Sequence, residues 1–310
     1  MLNWLKNKFC TKKDKKMGIE IKTQHGDVPE FIEIKINSWK DLISFFEKFN
    51  WSANYDRDWI FRGESDIKYS LSPSLERLFS DNLGSMGQIE KTSLSHFKRR
   101  YRGNFKPENS LEWLSLLQHY GAPTRLLDFS YSWYIALFFA VESLSDTDAS
   151  LWCVNLNKLR KNIKIDGLCI QATHSIAFNT YEKKVCSFID DYTKGTKVVI
   201  PVEPHLLNER IHQQQGLFLI SGSWDTKFED ILFTTLDTKK EDCQSKSLDY
   251  ITHTKVDEVK IFKLIINKNI KKDIVAELFK MNISRETLYQ GVEGFAQSIR
   301  TRIQAGIYYD

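Results

Sequence analysis

"LSLLQHYGAPTRLLDFSYSWYIALFFAVE", Leu114–Glu142, sets His119, Tyr120, Thr124, Arg125 and Asp128 between two apolar runs. Gly121-Ala122-Pro123 breaks the preceding helix, because proline pushes the residue before it out of helical geometry and glycine permits an unusual turn. The polar residues are therefore expected on a turn between two helices. The second helix, "YSWYIALFFAVE", is apolar around most of its circumference and so is enclosed on most sides. A turn fastened to such a helix is rigid, and rigid scaffolds are where preorganised sites are built. Each residue also has an ordinary structural role: Thr124 or Asp128 as a helix cap, Arg125 as an ion-pair partner of Asp128, His119 and Tyr120 as helix-end residues.

Upstream, "FIEIKI" (31–36) alternates like a strand, and Ser38 with Asp41 opens a helix whose inner face is Trp39, Leu42, Ile43 and Phe46. "DWIFRG" (58–63) is a short strand, Pro73 lies near a helix beginning, and residues 86–102 and 108–120 have helical periodicity. Downstream, "SLWCVNL" (150–156), "KVVIPVEP" (197–204), the strand from Gly216 and "EVKIFKLIIN" (258–267) are strands, 237–250 is a polar loop, and the chain closes on helices. Strands and helices mix without strict βαβ alternation. The expected class is α+β, one mixed domain over 31–300 with helices early and strands concentrated in the later half, a tail at 1–30 and another at 301–310.

At 310 residues, with 42% hydrophobic and 27% charged residues, the chain can bury a large core, which excludes the disordered and fibrous classes. The net charge of +4 is unevenly placed: residues 1–16 hold six lysines and one aspartate, +5, leaving −1 for everything else. General nucleic-acid binding needs a basic face, so only local clusters such as Lys98-Arg99-Arg100 and Lys268–Lys272 offer one. The head places Leu2, Leu5 and Phe9 near one helical face among its lysines, a pattern shared by membrane-surface helices and solvated tails. No run reaches the ~18 apolar residues of a spanning helix. Five scattered cysteines fit reduced thiols and not a metal centre, so a cytoplasmic, metal-free protein is expected.

Arg62, at the end of a short apolar strand beside Gly63, is placed either to hold a phosphate or carboxylate with its bidentate fork or to pair with Asp128 or Glu64. Gln213, Gln214 and Gln215 precede a strand and cannot all be core, so at least one is expected to face a cleft or a backbone group. Glycine-rich phosphate loops, the GxSxG elbow and the HExxH motif are absent. Catalysis would rest on Arg, His, Tyr, Thr, Asp and Gln.

"WIFRGES", "YSLSPSLER", "LQHYGAPTRLLDFSYSWYIALFFAVE" and "RIHQQQGLFLISG", in that order, resemble the FRG domain family, named for a Phe-Arg-Gly motif that is Phe61-Arg62-Gly63 here. "TLYQGVEGFAQSI" is similar to that family's closing segment, and the resemblance runs over roughly Asp41–Ile299. It implies a bacterial or phage origin and leaves the activity undefined. A fainter similarity is to ADP-ribosyltransferases, which begin with an aromatic-Arg-Gly strand. That similarity implies Arg62 on the diphosphate, Thr124 on the ribose or amide, Gln215 on the reacting sugar, and His119 or Tyr120 stacking on nicotinamide. Those enzymes carry a glutamate where this chain has Gln215; Glu293 or Asp128 would have to supply the charge that stabilises an oxocarbenium-like state.

The expectation is thus a polar cleft of Arg62, Gly63, His119, Tyr120, Thr124, Arg125, Asp128 and Gln215 that binds a nucleotide-like ligand. NAD would be the substrate, and a protein or nucleic acid the acceptor. The alternative is a non-catalytic interaction module whose motif residues form a buried polar network.

Overall fold

Ser38 starts the first helix as its spacing predicts: its hydroxyl accepts from the Asp41 amide at 3.1 Å, while the Asp41 carboxylate accepts from the Asn37 amide at 2.9 Å. The computed structural model describes residues 28–48, 58–79, 83–163, 176–193, 195–204, 209–251, 256–289 and 291–307. The expected tail at 1–30 and its lysine-rich head lie outside these except for residues 28–30.

Among the described residues eight strands form one mixed sheet: β1 (Phe31–Ile36), β2 (Trp59–Glu64), β3 (Leu126–Ser130), β4 (Ala149–Asn155), β5 (Thr196–Val202), β6 (Gly216–Gly222), β7 (Gln244–Lys246) and β8 (Ile261–Ile266). Their spatial order is β5-β6-β3-β2-β4-β8-β1-β7. β1 runs parallel to β7 and β8, and every other neighbour is antiparallel.

The helices are α1 (Trp39–Lys48), α2 (Met86–Arg100), α3 (Ser110–His119), α4 (Trp133–Val141), α5 (Leu156–Asn162), α6 (Ile176–Asp190), α7 (Glu209–Gln213), α8 (Phe228–Thr235), α9 (Leu248–Ile251), α10 (Lys271–Lys280), α11 (Arg285–Leu288) and α12 (Val292–Ala305). Strand alternation divides the core. Ile32, Ile34, Ile36, Phe61, Leu151 and Leu264 meet α1, α4 and α10 on one face, while Ile60, Trp152, Val154, Leu217 and Leu219 meet α5 and α8 on the other. Leu94 of α2, Leu111, Leu114 and Leu117 of α3, and Val185 and Ile189 of α6 cover Leu126, Ile200, Phe218 and Ile220.

The mixed α+β class holds, but strands are not concentrated late: four of the eight lie within residues 31–155. The quoted segment is also not helix–turn–helix. "LLDFS" is strand β3, so Asp128 sits on a strand; a five-residue stretch bordering a longer apolar helix has too little periodicity to separate the two. Pro73 precedes only a single 3-10 turn, Glu76–Leu78, and the polar loop 237–250 contains β7 and the start of α9.

Candidate functional site

β2 and β3 pair at a single position, Phe61↔Ser130, and then diverge. Past that rung β2 continues to pair with β4, Arg62↔Trp152 and Gly63↔Leu151, while β3 pairs with β6, Asp128↔Phe218. The divergence opens a cleft of about 200 Å³. Arg62, Asp128, Ser130 and Gln214 bring polar groups to its lining, and Phe61, Phe129, Phe139 and Tyr289 aromatic ones.

Arg62 spans the opening. Its Nη1 donates to the Asp128 carbonyl at 2.8 Å and its Nε to Glu64 Oε1 at 2.7 Å, so both partners considered from the sequence are used at once, Asp128 through its backbone. Gly63 answers to packing: a Cβ there would lie 2.0 Å from the Ala136 oxygen and 2.6 Å from the Ala140 nitrogen. The backbone that approaches it belongs to α4.

The Asp128 carboxylate is exposed and fixed from one side by Gln118, whose Nε2 donates to its two oxygens at 2.9 and 2.8 Å. Gln118 Oε1 in turn accepts from the Thr124 hydroxyl. Thr124 is fully buried; its amide donates to Ser74 Oγ at 3.1 Å, and its carbonyl accepts from the Leu75 amide at 3.0 Å. Thr124 therefore orients Asp128 through Gln118 and is not itself among the cleft-lining residues.

Arg125 points elsewhere. It does not pair with Asp128: its Nε lies 2.9 Å from Glu90 Oε2, its amide donates to Glu90 Oε1 at 3.0 Å, and a guanidinium nitrogen donates to the Ile189 carbonyl. The guanidinium lies 4.2 Å from the Trp224 ring centroid and 5.4 Å from that of Tyr192. Both charged side chains are buried. Burial pushes the Glu90 carboxyl above its ordinary range, with Arg125 pulling it back, and pushes the Tyr192 phenol up to about 12.

Of the glutamines, Gln214 lines the cleft. It is 9% exposed, its carbonyl accepts from Ser130 Oγ at 2.7 Å, and its buried Nε2 has no acceptor among the described residues. Gln215 has φ 46° and an exposed side chain; its backbone closes the turn, donating to His212 O at 3.1 Å and accepting from the Tyr131 amide at 2.9 Å. A left-handed residue inverts the local alternation, which is why strand register favours the wrong member of the pair. Glu293 is exposed in the first turn of α12 and accepts from Gln297 at 3.2 Å; the closing segment contributes Tyr289 to the cleft, its ring 6.2 Å from that of Phe139. His119 and Tyr120 stand exposed at the end of α3, outside the cleft lining.

Thus the structure brings Arg62, Gly63 and Asp128 together, adds Gln214, Ser130, Phe139 and Tyr289, and places Thr124 behind Asp128. Gln118 and Glu90 carried a weak signal in the sequence, being polar residues on otherwise buried helix faces. Among the described residues no trio of His, Cys, Asp and Glu is grouped to hold a metal ion, and no helix is long and apolar enough to cross a membrane.

No curated protein and no solved structure matches the chain. The family model of the FRG domain matches residues 57–149, a narrower span than the resemblance read from the motifs. That span holds β2, β3 and α4, the three elements that open the cleft, together with the Arg62-Gly63 pair and Asp128. Over those residues, less than a third of the chain, the sequence matches the FRG domain.

Proposed function

We propose that the β2–β3–α4 cleft binds a nucleotide-like ligand, with NAD the ligand to test and transfer of ADP-ribose the reaction it would serve. The observation that carries this reading is Gln214, a cleft-lining residue whose buried amide Nε2 has no acceptor among the described residues. Buried polar groups are normally satisfied, and a ligand acceptor such as a carboxamide oxygen would satisfy this one. Phe139 and Tyr289, the part-exposed aromatic residues of the lining, suit a planar ring. About 200 Å³ admits one end of such a ligand, since whole drug-sized molecules occupy roughly 300 Å³ or more.

In the transfer reaction the bond from the ribose C1′ to the nicotinamide nitrogen breaks, and its electron pair leaves with nicotinamide. The acceptor nucleophile bonds to C1′ and gives up a proton. Asp128 supplies the carboxylate that Gln215 lacks, to stabilise the positive charge on the ribose and then to take that proton. Arg62 would meet a phosphate with the guanidinium N–H groups not directed at Glu64 or the Asp128 carbonyl.

One observation favours the interaction-module reading instead. Thr124, Gln118, Asp128, Arg62 and Glu64 form a continuous chain of hydrogen bonds that would fix the strand opening without any ligand. Calorimetric titration of the full chain with NAD, nicotinamide and ADP-ribose separates the two. Saturable heat that is lost in folded Gln214→Leu and followed by nicotinamide release supports the cleft. No heat at millimolar ligand from folded protein refutes it.

A further inference from the structure

The second half of α2 and the loop after it, Lys91 to Pro107, carry Lys91, Lys98, Arg99, Arg100, Arg102 and Lys106 without a single Asp or Glu. All six cations are exposed. This is a segregated charge: with +4 overall, +5 in residues 1–16 and +6 here, the rest of the chain sums to −7. Glu108 borders the segment directly, and two further carboxylates nearby are engaged elsewhere. Glu90 is buried against Arg125, and Glu112 accepts from the Glu108 amide at 2.7 Å; the carboxylate felt by Lys98 is that of Asp190, at the end of α6.

Beside this cationic face lies an aromatic platform from α2, α3 and the loop between them. Phe97 lies 5.7 Å from Tyr101, 6.3 Å from Trp113 and 5.8 Å from Tyr120, and Lys98 Nζ lies 5.4 Å from the Trp113 centroid. The inner rings hold each other, while Tyr120 is 62% exposed and presents its ring at the rim. Arg102 holds the loop in place by donating from Nη1 to the Arg99 and Tyr101 carbonyls, both at 2.9 Å. His119 and Tyr120, which the cleft does not use, belong to this face.

We propose that the α2–α3 face binds single-stranded nucleic acid. Spaced cations neutralise successive phosphates, and exposed rings stack on unpaired bases; the combination is what a flexible strand with accessible bases needs. A duplex hides its base faces from Tyr120, and a lipid surface has none to offer. The proposal is independent of the cleft reading, because no residue of this face lines the cleft.

The test is fluorescence anisotropy of the full chain with end-labelled oligouridylate and oligodeoxythymidylate about 15 nucleotides long, against a duplex of equal length, over a salt series. Single strands are expected to bind more tightly than the duplex. Tyr120→Ala should weaken single-strand binding about 5-fold or more with duplex binding little changed. Arg99→Ser with Arg100→Ser should lower the slope of log affinity against log salt by about 1.4. Thermal melts of both variants check folding. Absence of binding at low salt overturns the proposal. So does binding that ignores both changes but is lost when the four lysines 12, 13, 15 and 16 are replaced by glutamine, which assigns it to the head. Equal binding to duplex or to phosphatidylserine vesicles, undiminished by Tyr120→Ala, also overturns it by reducing the face to a charge patch.

Discussion

Replacing Glu90 by glutamine keeps the shape of the side chain and the acceptor for the Arg125 amide, but strips the charge that faces the Arg125 guanidinium at 2.9 Å. The Glu90 side chain is 0% exposed and that of Arg125 is 3%, so water cannot take the place of the carboxylate. Removing one partner of such a buried pair costs about 3–5 kcal/mol. The Trp224 face, 4.2 Å from the guanidinium, returns at most about 2 kcal/mol of cation–π attraction, and it already does so in the parent. The expected loss for Glu90→Gln is therefore about 3 kcal/mol, a large part of the ~5–15 kcal/mol by which a folded protein is stable. Arg125→Met should cost less, because the stranded Glu90 can take up a proton as its burial already favours, whereas an arginine cannot shed one. The double variant should lose less than the sum of the two by about 2 kcal/mol, the signature of a coupled pair. Urea unfolding of all four proteins, followed by circular dichroism and tryptophan fluorescence, measures this. Effects that add within about 0.5 kcal/mol would refute the claim that the two charges hold α2 to the start of β3.

Gly63→Ala forces a methyl against the Ala136 carbonyl and the Ala140 amide and should destabilise by about 1–3 kcal/mol or more; an unchanged thermal midpoint would mean that α4 is not seated on β2 as described. The Tyr192 phenol, raised from 10.0 to about 12 by burial and by Glu90, favours the fold while it is protonated. Its contribution is fully present below pH about 10 and is lost as pH rises towards about 12, so Tyr192→Phe should flatten the fall in stability over that alkaline window, measured by urea midpoints at stepped pH.

Local signals placed most elements correctly because local physics decides them: Ser38 caps α1, Gly216 opens β6, and the all-round apolar stretch 133–141 is an enclosed helix. The candidate site was half legible for the same reason. Arg62 was legible on a short strand beside a glycine, whereas Asp128, expected on a turn between helices, meets it from β3. What stayed hidden depends on separations of many residues or on one dihedral angle. Glu90 reaches Arg125 across 35 positions, and nothing near Arg125 announces it; the adjacent Asp128 looked the better partner. The left-handed turn at Gln215 hands the cleft to Gln214. Gly63 is open to another backbone or a ligand as read from the sequence, because a missing side chain looks the same in both cases, and the α4 backbone fills the space.

The single rung between β2 and β3 has a mechanical meaning. It divides eight strands into a plate of three, β5-β6-β3, and a plate of five, β2-β4-β8-β1-β7. Tension passing from one plate to the other runs through Phe61–Ser130, the Arg62 strut and the helix laid across the seam. A molecule seated in that seam would press on the joint between the two plates.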